Sequence, residues 1–128
     1  MADSPFPGYI EAAKTGALRV RMDPQAFVDI DRACQELIDT LVAAQTDARE
    51  LGERQRWGLG EDNPKLTSAL ELVRLFREKA FGGPNNAFDT LTEYISVAQE
   101  IKSMFEAIRD GYVRTDTEFA AALRELSV

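Results

Sequence analysis

An all-α fold is the prediction, and three observations carry it. Apolar residues recur every three then four positions along two long stretches, the signature of a helix with one buried side. Glycine and proline cluster between those stretches, at 58–64 and 82–84. Asp23-Pro24 and Asn63-Pro64 supply helix starts, because the side chain can accept a first-turn amide and proline at the first helical position loses no bond. The expected arrangement is an antiparallel hairpin of two long helices with a short extra helix at the tip, pairing into a four-helix bundle. An up-down-up bundle of the three helices is the alternative.

Residues 1–22 carry two prolines and two glycines without sustained periodicity, and read as a flexible arm with a short extended piece at 17–22. Residues 23–128 read as a single helical domain. The first long arm, 24–55, aligns Phe27, Cys34, Leu41 and Ala48 in one row and Ile30, Leu37, Ala44 and Leu51 in another. At about 1.5 Å per residue it would reach about 50 Å. The tip carries a short helix over 64–81, with Leu66, Leu70, Val73 and Phe76 along one face. The second long arm, 87–126, repeats Leu91, Ala98, Phe105, Tyr112, Phe119 and Leu126 at intervals of seven.

Both arms also hold apolar residues off these rows: Val28, Ile38 and Val42 on the first, Ile95, Val97 and Met104 on the second. A two-helix hairpin buries one stripe per arm. The surplus implies cover from the short helix or from a second chain, and a dimer forming a four-helix bundle is the simplest solution.

The chain has 128 residues and a formal charge of −7, from 22 acidic and 15 basic side chains. Such a balance disfavours nucleic acid and anionic lipid as partners. There is no histidine, which removes the commonest general base and the commonest metal ligand together. The single cysteine, Cys34, sits in an apolar row and reads as a small buried hydrophobe. Acidic pairs such as Asp29 with Asp31 and Asp116 with Glu118 have no partner that would make them catalytic, and read as solvated faces or caps. Thr115-Asp-Thr-Glu118 matches a capping box and marks a possible bend or restart. No catalytic, cofactor-binding or metal-binding residue is assigned. No basic segment followed by an apolar core opens the chain, and no apolar run approaches the ~20 residues that span a bilayer.

Two motifs stand out. Tyr112-Val-Arg-Thr-Asp116 places a phenol and a carboxylate one helical turn apart on one face. Trp57-Gly58-Leu59-Gly60 places an aromatic residue and two glycines in the connection between the arms. Together they resemble the small helical-hairpin proteins of bacterial type VII (ESX) secretion, the WXG-type and related substrates. Here the glycines fall one and three places after tryptophan instead of two, and 61–86 stands as an insertion. The resemblance implies a secreted substrate, or a co-secreted helical partner of a larger effector, exported without a cleaved N-terminal signal and cytoplasmic beforehand. It implies Tyr112 and Asp116 as the export signal, and Trp57, Gly58 and Gly60 as the turn motif. It further implies Phe119, Leu123 and Leu126 as tail anchors for the secretion ATPase. Its partners would be a similar helical protein or an effector domain, as a homo- or heterodimer. The competing expectation is an intracellular helical adaptor or immunity-like binding protein whose Tyr-Asp spacing is accidental.

Overall fold

The computed structural model describes residues 4–126 and is all-helical over them. Five helices follow in order: α1 (Phe6–Thr15), α2 (Pro24–Glu53), α3 (Thr67–Ala80), α4 (Ala87–Thr115) and α5 (Thr117–Leu126). This is compatible with a helical bundle. Contacts group the chain into one compact unit of Met1–Asp39 with Ile95–Val128, and another of Thr40–Tyr94. Both α2 and α4 therefore contribute to each unit.

The first unit contains the larger apolar cluster. Ala13, Phe27, Ala107, Ile108 and Phe119 are buried together, and Leu18, Val20, Met22, Met104, Phe105, Tyr112 and Leu123 pack against them. Of the flexible arm expected over 1–22, residues 1–3 lie outside the described residues and 4–22 depart from the expectation. Phe6–Thr15 is helical, Ala13 is only 1% exposed, and the segment after α1 lays Leu18, Val20 and Met22 on the core. The reason is long-range: α1 is too short to be stable alone, and the apolar cluster that anchors it comes from α2, α4 and α5. At the start of α2 the expectation holds, since the Ala26 amide donates to Asp23 Oδ1 at 2.8 Å with Pro24 as the first helical residue.

Within α2 the buried residues are Phe27, Ile38 and Ala48, whereas Leu37 is 50% exposed. Phe27 and Ala48 belong to the first expected row, whereas Ile38 stood off both rows; Phe27 and Ile38, eleven apart, return to one side of the helix after three turns. Between α2 and α4 of this unit the Lys102 ammonium sits 2.8 Å from Glu106 and 3.3 Å from Asp31. The hydrogen bond with Glu106 chiefly raises its pKa, so it stays cationic at neutral pH.

The second arm does not run unbroken from 87 to 126. Its helix is interrupted at Asp116, whose side chain accepts the Phe119 amide at 3.0 Å and so caps α5. Thr115 Oγ1 turns back to donate to the Gly111 carbonyl at 2.8 Å. The bend anticipated at 115–118 is thus present, with Asp116 rather than Thr115 as the cap.

The second unit has few buried side chains, Ala48, Val73, Ala80 and Asn86 among them. Polar closures do much of the holding. Arg77 donates through Nε to the Arg54 carbonyl at 3.0 Å and through Nη2 to the Gln55 carbonyl at 2.7 Å, satisfying acceptors left free beyond the end of α2. Asn86, 2% exposed, caps α4 by accepting the Asp89 amide at 2.8 Å while its own amide group donates to the Gly83 carbonyl and Asp89 Oδ2. The Arg49 guanidinium lies 5.4 and 5.3 Å from the rings of Phe81 and Phe88, which meet edge to face. The short helix begins at Thr67 rather than 64, because Asn63 closes a turn with the amides of Lys65 and Leu66 instead of capping a helix.

At Gly52 an added Cβ would lie 2.5 Å from Phe81 Cβ and 3.3 Å from the Arg77 carbonyl oxygen. The backbone must approach there, and only glycine leaves room. Gly52→Ala is expected to lower stability by about 1–3 kcal/mol, the range for forced overpacking. Urea unfolding followed by circular dichroism checks this; an unchanged midpoint would show that the contact gives way.

Candidate functional site

Tyr112 lies in the last turn of α4, with its ring among aromatic neighbours and its hydroxyl already engaged. The hydroxyl donates to the Val20 carbonyl at 2.8 Å. The ring stacks on Phe119 with centroids 4.9 Å apart and meets Phe27 at 5.8 Å. Arg19 covers the other side, its guanidinium carbon 4.9 Å from the ring centre. The side chain is half-buried.

Asp116 is exposed and stands at the junction of α4 and α5. Its amide donates to the Tyr112 carbonyl at 2.8 Å, so the pair remains one turn apart as the spacing predicts. One carboxylate oxygen is committed to the α5 cap. The pair thus offers solvent a capping carboxylate and part of an aromatic ring, not two free polar groups.

The tail residues differ in availability. Phe119 is 8% exposed and belongs to the core, Leu123 packs against that core, and Leu126 is 41% exposed. Leu123 and Leu126 line an open cavity of about 360 Å³ together with Phe27, Val28 and Val113. A groove that took all three tail residues as anchors would have to draw α5 away from the core.

Trp57, Gly58 and Gly60 belong to the other unit. The Trp57 indole donates to the Arg54 carbonyl at 3.2 Å and its ring lies 5.8 Å from that of Phe76. Glu61 accepts the amides of Gly58 and Leu59 at 2.9 and 3.2 Å, closing the turn. Gly58 and Gly60 have φ of 74° and 97°, left-handed values that glycine adopts without a side-chain penalty. Trp57 and Phe76 also line an open, apolar cavity of about 270 Å³ with Ala48, Leu51 and Ala80. In the same unit Leu66, Leu70, Leu72 and Leu75 are each between 42% and 45% exposed.

Cys34 is partly buried, and burial pushes its thiol up from the ordinary value, with Asp31 adding to the shift. That is the environment of a packing residue. Among the described residues no group of three His, Cys, Asp or Glu side chains comes together to hold a metal ion, and no helix is long and apolar enough to cross a membrane.

Arg19 and Val20 are the Tyr112 partners that the sequence concealed. Their contacts reach across more than ninety residues from a segment without periodicity, and no local signal encodes them. Phe27 carried a signal, as the first member of a regular row. No family model matches the chain, and no curated protein or solved structure matches it.

Tyr112→Phe keeps the ring and removes the bond to Val20. The expected cost is about 0.5–1.5 kcal/mol, the net value of one hydrogen bond. A thermal unfolding midpoint equal to the parent's would mean that the hydroxyl is satisfied equally well by water.

Proposed function

We propose that this chain is a non-enzymatic helical protein of the type VII secretion class, acting as a substrate or as the co-secreted partner of a larger effector. The observation that carries this reading is the placement of Tyr112 and Asp116 across the end of α4, the second long helix. The resemblance places an export signal at such a helix end. In this reading the two long helices pair as an antiparallel hairpin, with α3 at its tip.

A partner chain is part of the proposal. Leu66, Leu70, Leu72, Leu75 and Phe76 lie on or beside α3, each more than 40% exposed. Apolar surface gathered on one short element favours association, at roughly 25 cal/mol per Å² removed from water. Analytical ultracentrifugation at micromolar concentration is expected to find a dimer, or a tight complex with a co-expressed helical partner. A strict monomer that binds no co-expressed protein would remove this part of the reading.

The export signal is tested by separating recognition from folding. Asp116→Asn retains a side chain able to cap α5 and removes the charge. Tyr112→Ala with Asp116→Ala removes both groups. Both variants are expected to lose export from a host with an active type VII system, Asp116→Asn with its helical circular dichroism unchanged and the double variant with a lowered unfolding midpoint, since it also loses a core ring and the α5 cap. Normal export of a folded double variant would refute the signal.

A second reading, an intracellular adaptor or immunity-like protein, is favoured by one observation. The Tyr112 hydroxyl bond and the Asp116 cap account for both residues without any receptor. Under that reading the protein stays inside cells and neither variant changes its location.

A further inference from the structure

We propose that the first unit binds a phosphate dianion in the cavity between the C-terminal ends of α1 and α4. The cavity holds about 250 Å³, and its lining includes Lys14, Arg19 and Arg114 but no carboxylate. In a chain of net charge −7, three cations around one acid-free hollow is a marked local reversal.

The cations are held but not neutralised. Arg19 Nη2 donates to Thr115 Oγ1 at 3.3 Å, and its guanidinium carbon lies over the Tyr112 ring. Arg114 Nη2 donates to the Lys14 carbonyl at 3.3 Å. Neither arginine forms an ion pair among the described residues; Lys14 alone does, with Glu11 at 3.6 Å. Each guanidinium has five N–H donors, so most remain available. Anchoring by one bond each also reduces the ordering cost when an anion arrives.

Three effects oppose anion binding: the two helix ends, the Lys14–Glu11 pair, and the carboxylates of Glu106 and Asp110, which line the adjoining cavity with Lys14 and Arg114. The ends of α1 and α4 present carbonyls equivalent to about half a negative charge each. The Lys14–Glu11 pair is exposed on both sides, a class of contact that is weak in water. With Lys14 discounted entirely, two full guanidinium charges still exceed about one unit from the helix ends.

The cavity's own hydroxyls narrow the ligand class. Thr15 Oγ1 donates to the Ala12 carbonyl and Thr115 Oγ1 to the Gly111 carbonyl, so recognition falls to the cations. A carboxylate fills one guanidinium fork. A phosphate group offers enough oxygens, and about two negative charges, to engage both forks and the ammonium together. Free phosphate and a phosphorylated side chain share this chemistry.

The test is a titration of the full chain with inorganic phosphate at constant ionic strength, followed by amide NMR. Saturable shifts at Gly16, Gly111 and Thr115 are expected, with a Kd on the order of millimolar. Arg19→Gln with Arg114→Gln should weaken binding at least about tenfold, while Arg124→Gln leaves it unchanged. Acetate should bind more weakly than phosphate. A phosphoserine peptide binding more tightly than phosphate would identify a protein source, and the reverse order a free ion; either supports the site. Absence of saturable shifts in the unaltered protein would overturn it without recourse to any variant, as would equal affinity for acetate or undiminished binding by the folded double variant.

Discussion

Residues seven apart on a straight helix are separated by about 10.5 Å along its axis, yet the rings of Tyr112 and Phe119 stack at 4.9 Å. The first unit depends on that disparity being resolved at Asp116. Once the helix gives way there, Phe119 swings back against Tyr112 and Phe27, and Leu123 follows it onto the core. The same cluster then supplies the surface on which the segment after α1 settles, with the Val20 carbonyl receiving the Tyr112 hydroxyl. A cap of modest energy thus decides where a large apolar payload goes.

The second unit is built on a different balance. Its buried side chains are mostly small, and large ones such as Trp57 and Phe76 stay partly exposed. Order comes from directed polar contacts instead: Arg77 across the carbonyls of Arg54 and Gln55, Asn86 at the start of α4, and Glu61 within the turn. Directional bonds of this kind fix geometry but add only about 1 kcal/mol each.

Tyr112 is where structural and functional readings compete for the same atoms. Its ring supports the core and its hydroxyl closes onto Val20, while Arg19 ties it to a cationic hollow on the other side. A receptor reading this tyrosine would meet a residue already built into the fold, with Asp116 as the more accessible half of the pair.

The sequence by itself determined that the chain is helical, roughly where the long helices and the short one fall, and that Asp23 would cap α2. These are local properties, written in periodicity and in side chains that reach their own backbone. It also placed Tyr112 and Asp116 one turn apart. Only the tertiary structure decided that α1 forms, that Ile38 rather than Leu37 is buried, and that Tyr112 faces Val20 and Arg19. Which of two adjacent apolar residues is covered depends on what packs there, and contacts across ninety residues leave no mark on local spacing. Such outcomes belong to packing, which exists only once distant segments have met.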